Sequence, residues 1–203
     1  MLFFLMFFKK ILIIFSLILF GNFSNLYAED YSIITLGYTK NIAESPHDSG
    51  GSTYHKDPED NGQSIGFAFG SKNNEWMIET ELFYNTLTTH KLTDDVNADL
   101  NTLAIMTNMF FAPELGDNFY GLLGAGVGTG RTKVTSKYSG GNDPGSKAQW
   151  TFGYQYMIGF GFDDIEILYK HTDLGEVKSG STSSYNADQF DNISKSINIR
   201  YKF

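Results

Sequence analysis

The chain has 203 residues, a formal net charge of −8 and no cysteine. The length allows one domain, or one domain preceded by an export signal. The acidic balance argues against nucleic acid as a partner, and the absence of cysteine excludes a disulfide framework and thiolate metal sites.

The first segment has the layout of a secretory signal peptide. Lys9 and Lys10 precede the apolar run Ile11–Phe20, and the small residue Ala28 marks a cleavage point. The alternative, an uncleaved anchor, needs about 20 apolar residues, and this run is shorter. We therefore predict a signal peptide over residues 1–28 that is cleaved after Ala28. Cleavage would remove two lysines and no acid, which takes the net charge to −10.

The remaining residues, 29–203, alternate apolar and polar side chains, which is typical of strands with one apolar face. We predict one all-β domain of eight strands, at about residues 31–41, 63–71, 76–85, 103–111, 119–132, 150–162, 165–173 and 193–203.

The gaps between these strands differ systematically in length. Long polar segments follow the first, third, fifth and seventh strands, and short turns follow the second, fourth and sixth. All long loops then lie at one end, as in outer-membrane barrels with short periplasmic turns and long external loops. A soluble sandwich has the same alternation, but only a closed barrel satisfies every strand backbone group inside lipid. The predicted loops are residues 42–62, 86–100, 133–147 and 174–190.

Glycines occupy every second position of the fifth strand, at Gly124, Gly126, Gly128 and Gly130. This spacing removes the side chains from one face only. In a narrow barrel it predicts room for bulky lumen residues from neighbouring strands.

Aromatic residues concentrate near the predicted strand ends, where lipid headgroups favour amphipathic rings. We expect one girdle near the turns and another near the loops, with Trp76 in the first and Tyr84 and Trp150 in the second.

Three phrases resemble those of opacity-type bacterial surface antigens, a family of small OmpA/OmpX-like outer-membrane barrels. They are residues 120–128, 153–159 and 167–175. The resemblance implies an eight-stranded antiparallel up-and-down transmembrane β-barrel in the bacterial outer membrane, surrounded by membrane lipid and lipopolysaccharide.

The last strand also resembles the terminal strand of such barrels, because it alternates to the end and finishes on an aromatic residue. The resemblance implies an assembly signal for the barrel-assembly machinery, formed by Ile199, Tyr201 and Phe203.

Acidic and basic residues both occupy positions that are predicted to face the barrel interior. Since an unpaired buried ion is costly, these groups are expected to neutralise one another, and Glu166 is predicted to pair with Arg200 across adjacent strands. The alternative, a conduction path, is disfavoured because side chains fill an eight-stranded barrel. The predicted lumen network is Glu79, Glu81, Glu166, Lys170, Arg200 and Lys202.

A hydrolytic site is a further alternative. His171 and Asp173, with a loop serine, would form a lipid A-modifying enzyme, although the histidine also fits a polar rim position. No spacing in the sequence fixes a nucleophile, so we predict no enzyme activity, catalytic residue, cofactor or metal site.

Function is therefore expected in the loops, which a rigid barrel displays. The third loop is basic, whereas the other three are acidic. We expect a structural or adhesive surface antigen that binds host surface or envelope components; a narrow channel or small-solute porin is the alternative. The basic residues are Arg131, Lys133, Lys137 and Lys147.

Overall fold

The computed structural model describes residues 29–48, 58–92, 96–138, 145–179 and 188–203, so the predicted signal peptide lies outside the described residues. Within these ranges no helix is long and apolar enough to cross a membrane. The strands are β1 (Glu29–Asp48), β2 (Glu59–Asn73), β3 (Trp76–Lys91), β4 (Val96–Phe111), β5 (Glu114–Gly116), β6 (Phe119–Tyr138), β7 (Gly145–Phe162), β8 (Ile165–Lys178) and β9 (Asp188–Lys202).

Eight long strands form a closed antiparallel barrel. Each strand pairs with its neighbour in the chain, β4 pairs with β6, and the three-residue β5 pairs with the start of β6. β9 closes the barrel against β1, with Lys202 opposite Ile33 and Ile193 opposite Ile42. The predicted fold class is confirmed, and so is the predicted pairing of the last strand with the first.

The connections at the end that carries Glu29 and Phe203 are tight. Asn74, Asn118 and Asp163 occupy them with positive φ values of 53°, 60° and 50°. Asn and Asp tolerate this left-handed region better than other non-glycine residues, so they allow reversals of very few residues.

The strands extend well beyond the predicted boundaries at the opposite end, which we call the upper end. The predicted loops were too long, since β1 continues to Asp48, β3 continues to Lys91 and β6 continues to Tyr138. Three register shifts interrupt the ladders there, next to Glu44, Asn85 and Asp173. Such bulges break the period of two that sequence analysis relies on.

The upper parts of the strands also escaped prediction because their apolar face inverts, as β4 shows best. In the lower part of the strand Leu103 and Ile105 point outward and are exposed, whereas in the upper part Val96 and Leu100 point inward and are buried. β4 continues without a break, yet its large apolar side chains move from odd-numbered, outward-facing positions to even-numbered, inward-facing ones. Apolar residues therefore face lipid in the lower part and an interior core in the upper part.

That interior core fills the upper barrel. Its members come from β1, β4, β6, β8 and β9 and from Leu92 just after β3. They are Ala43, Leu92, Val96, Ala98, Leu100, Val134, Val177 and Phe190. Burial of these side chains stabilises the parts of the strands that continue above the apolar outer surface.

Candidate functional site

Arg200 anchors a buried ion cluster near the lower end of the lumen. Its Nη2 donates to Glu79 Oε2 at 2.5 Å, and its Nη1 lies 2.8 Å from Glu166 Oε2. The second contact is an ion pair and not a hydrogen bond, since neither of its two atoms has a hydrogen-bond partner. All three side chains are at most 3% exposed. The structure thus places the predicted partners Glu166 and Arg200 together, and Glu79 joins them.

Two tyrosines cover this cluster from below. Tyr31 donates to Glu79 at 3.1 Å, and Tyr120 donates to Glu166 at 2.8 Å. Lys202, another predicted lumen residue, donates to the Tyr120 hydroxyl at 3.3 Å. The lower mouth is therefore closed by aromatic rings that are hydrogen-bonded to the ions above them.

Sequence analysis missed both tyrosines as lumen residues, although a signal was present. Tyr31 lies opposite Gly70, and Tyr120 lies opposite Gly161. A Cβ atom at either glycine would overlap the facing ring. An inward-facing tyrosine opposite a glycine on the neighbouring strand is thus the pattern that indicates a ring lying across the lumen.

A second polar layer crosses the middle of the barrel. Lys170 Nζ lies 2.8 Å from Glu81 Oε1 and 4.2 Å from the ring centre of Phe83. Gln155 donates to Glu81 at 3.2 Å and to Asn108 Oδ1 at 2.6 Å. Every member of this layer is buried, so the acid and the base are held by neutral partners as well as by each other.

Large side chains fill the space beside the glycines of β6. A Cβ at Gly124 would overlap the ring of Phe110, and one at Gly128 would lie 2.6 Å from the sulfur of Met106. The predicted role of the glycine series is confirmed. Because these side chains and the polar layers alternate up the barrel, the lumen is packed with side chains at several levels.

The wall formed by β9, β1 and β2 is lined by smaller polar residues. Thr35 and Thr39 are at most 2% exposed, and their hydroxyl oxygens lack a hydrogen-bond partner. Asn198 shares this wall and is joined to Ser64 Oγ at 3.3 Å and to Ser196 Oγ at 2.8 Å.

The outer surface is apolar over the lower and middle barrel. The predicted girdle residues Trp76, Tyr84 and Trp150 are exposed by 48%, 38% and 63%. The outward residues of the terminal strand are also exposed, with Ile199 at 60%, Tyr201 at 53% and Phe203 at 61%. Exposed apolar side chains of this kind, on every long strand of a closed barrel, are the surface that lipid requires.

His171 faces outward, and no serine or threonine lies opposite it. Its ring stacks on Tyr156 with centroids 4.5 Å apart, and Lys195 lies opposite it on β9. Asp173 accepts a hydrogen bond from the backbone of Gly175 at 2.7 Å. The residues opposite His171 on the two neighbouring strands are thus Tyr156 and Lys195, and neither is the serine that the lipid-modifying hypothesis needs.

The upper barrel contains a buried histidine. His90 is 1% exposed; its Nδ1 donates to the Pro58 carbonyl at 3.0 Å, and its Nε2 lies 3.1 Å from the Thr88 hydroxyl. Burial lowers the pKa of His90, although the Pro58 carbonyl, Asp60 and Asp99 act in the opposite direction. Neutral imidazole with one donor and one acceptor satisfies both contacts.

Asp99 lies on the outer side of the same region. Burial acts to raise its pKa, but Lys137 at 2.5 Å and the Thr89 hydroxyl at 2.7 Å outweigh burial and lower the pKa of Asp99. Lys137 was predicted in a loop, but it lies on β6 and ties that strand to β4.

No protein-family model matches the chain, and no curated protein sequence matches it. Two similar solved structures are Neisserial surface protein A (NspA) and the outer membrane protein OprG from Pseudomonas aeruginosa. NspA is 16% identical, with 87% of this chain and 99% of that chain covered and a TM-score of 0.51. OprG is 12% identical, with 85% and 95% covered and a TM-score of 0.53. The chain therefore has the closed antiparallel transmembrane β-barrel fold of these proteins.

Proposed function

We propose that the protein is a bacterial outer-membrane barrel that displays its upper end outside the cell as a structural or adhesive surface antigen. The observation that carries this proposal is the height of the strands. β6 has 20 residues, which at roughly 3.3 Å per residue and a tilt of about 40° rise about 50 Å. An outer-membrane barrel needs an apolar band of only about 25 Å.

Packing and an ion pair stabilise the extra height. The upper strands enclose the apolar core around Phe190 and Val134, and the Lys137–Asp99 ion pair joins neighbouring strands outside it. A barrel that served only as a membrane plug would not need a second core above the bilayer. The connections from β1 to β2, β3 to β4, β6 to β7 and β8 to β9 are therefore the parts that meet host or envelope components.

Conduction fits the interior poorly. The lower mouth is closed by Tyr31, Tyr120 and the Arg200 cluster, and the upper barrel is closed by its apolar core. We expect the protein to produce no stable conductance steps in planar bilayers. The lumen ions are proposed to be structural.

Maturation is proposed to involve export followed by barrel assembly. Residues 1–28 are proposed as a signal peptide cleaved after Ala28. Phe203 backbone groups exchange 2.9 Å hydrogen bonds with Ser32, so the last residue belongs to the closing seam. This position supports the proposal that Ile199, Tyr201 and Phe203 are recognised by the assembly machinery before the barrel closes.

Replacement of the upper connections tests the display function. Variants with residues 49–57, 93–95, 139–144 or 180–187 exchanged for Gly-Ser linkers should keep the heat-modifiable gel mobility of a folded barrel, and at least one should lose binding to host cells. The matched control exchanges the lower connection 113–118. If all upper replacements bound host cells like the wild type, the adhesive function would be rejected.

A further inference from the structure

The outward face of β6 changes from apolar to cationic along its length. Leu123 and Val127 are 61% and 46% exposed on the apolar part, and Arg131 and Lys133 follow in the same phase and are also exposed. The strand is regular through this change, with Arg131 opposite Trp150 and Lys133 opposite Ala148 on β7.

The height of this change coincides with the edge of a membrane. Arg131 lies twelve positions after Phe119, the first residue of β6. Twelve residues of a strand tilted by about 40° rise roughly 30 Å, whereas the apolar band of outer-membrane barrels is about 25 Å tall. Arg131 therefore lies just above the hydrocarbon, at the level of lipid headgroups.

The neighbours of these two cations carry no charge. Arg131 lies between Leu103 on β4 and Trp150 on β7, and Lys133 lies between Asn101 and Ala148. The acid in the next outward row of β4 is Asp99, which is already paired with Lys137. The positive charge on this wall is thus not neutralised by its surroundings within the described residues.

Three other cations of the upper barrel have acidic partners. Lys40 pairs with Glu59, Lys137 pairs with Asp99, and Lys178 pairs with Glu176. Arg131 and Lys133 have no ion-pair partner among the described residues. In a chain with a net charge of −8, two neighbouring cations without an acid favour an external anion.

An apolar surface adjoins the cations on the membrane side. Phe152, Tyr154 and Ile158 form an exposed stripe down β7, starting beside Trp150, with exposures of 68%, 51% and 59%. A ligand that fits both parts must have an anionic head and apolar chains.

We propose that Arg131 and Lys133, with Trp150 beside them, form a docking site for the phosphorylated headgroup of an outer-leaflet lipid. The acyl chains of that lipid lie along the β7 stripe. The guanidinium of Arg131 suits bidentate contact with phosphate, and Lys133 adds a second charge one step above it. This inference rests on the proposed outer-membrane orientation, because that orientation puts these residues in the outer leaflet.

The direction of the side chains selects a lipid over a soluble polyanion. Both cations project sideways from the barrel wall at the apolar border, and neither belongs to the upper connections. A sulfated polysaccharide would have to enter the headgroup layer to reach Arg131, whereas a lipid phosphate is already at that level.

The test measures lipid A binding to the folded protein in neutral detergent micelles. The chain has two tryptophans, so a Trp76→Phe background leaves Trp150 as a fluorescent reporter within the site. The ligands are bisphosphorylated, monophosphorylated and dephosphorylated lipid A, together with inorganic phosphate and a heparin oligosaccharide. The variants are Arg131→Gln/Lys133→Gln, the charge-preserving Arg131→Lys/Lys133→Arg, and the control Lys40→Gln/Lys195→Gln on the opposite wall.

We expect the glutamine variant to bind bisphosphorylated lipid A roughly thirty-fold more weakly, from the contribution of two interfacial cations. The charge-preserving and control variants should retain most of the affinity, and dephosphorylated lipid A and inorganic phosphate should bind weakly to all of them. Equal affinity of the glutamine variant and the wild type would overturn the site, as would an equal loss in the control. Tighter binding of the heparin oligosaccharide than of lipid A would overturn the lipid assignment.

Heat-modifiable mobility shows that each variant is folded. The measurement in micelles needs only a folded barrel, so a failure of lipid binding is distinct from a failure of outer-membrane insertion, which is measured separately in cells.

Discussion

Arg200 is the residue on which the lower lumen depends, because it is the base that pairs with both Glu79 and Glu166. The substitution Arg200→Gln would leave Glu79 and Glu166 buried without a counter-charge. We expect a loss of about 3–5 kcal/mol in the free energy of unfolding. Urea unfolding of the refolded barrel, followed by tryptophan fluorescence, measures this loss.

Glu166→Gln is the matched control. The amide oxygen of the new side chain can still accept the hydrogen bond from the Tyr120 hydroxyl, and Arg200 keeps Glu79, so the cost should be about 1 kcal/mol or less. Equal losses in the two variants would show that the cluster does not depend on the arginine charge.

His90 gives the upper barrel a dependence on pH. Its pKa is lowered mainly by burial, so an opened upper barrel binds the proton more readily than the closed one. Stability is then present above the ordinary histidine pKa of about 6.5 and is lost as the pH falls from there through the folded value. Hydrogen exchange of the β4 amides near Ala98 should accelerate between about pH 7 and pH 5 beyond its intrinsic pH dependence.

The control for this effect is His90→Gln, which keeps a donor and an acceptor but has no proton to gain. Its upper amides should show no such extra acceleration. If both proteins responded alike, the pH dependence would belong to another group.

At the scale of elements, the glycines of β6 make room for the side chains of β4. Gly124→Ala would put a methyl group into the Phe110 ring, and we expect a cost of about 1–3 kcal/mol from overpacking. Phe110→Ala alone should cost about 3–5 kcal/mol. In the double variant the clash is absent, so its cost should be clearly smaller than the sum. Additive costs in urea unfolding would mean that the two residues do not share this space.

The membrane-facing strands were predictable from sequence because lipid imposes one rule, an apolar face that points outward. On β4 that rule holds through Leu103 and fails at Leu100, which faces the upper core. The upper strands could not be predicted, since the apolar face inverts and bulges change the phase. The pairing of Glu166 with Arg200 followed from register, whereas Glu79 joined them because its side chain reaches across the lumen.

At the scale of the whole molecule, the described chain divides into two zones. The lower zone has an apolar exterior and an interior that holds the buried ions, and the upper zone has a more polar exterior around an apolar core. This reversal places the membrane around the lower zone and leaves the upper zone in water. We propose that the strands cross the membrane in the lower zone and continue outside the cell.

Cysteine labelling in intact cells tests this claim most directly, since the chain has no cysteine of its own. Single substitutions would be made at Asn97 in the upper part of β4, at Ile105 in its apolar part and at Asp117 in a lower connection. With a membrane-impermeant maleimide, we expect Asn97→Cys to label in intact cells and Ile105→Cys to stay protected. Asp117→Cys should label only after the outer membrane is permeabilised. Protection of Asn97→Cys, or labelling of Asp117→Cys in intact cells, would contradict the account.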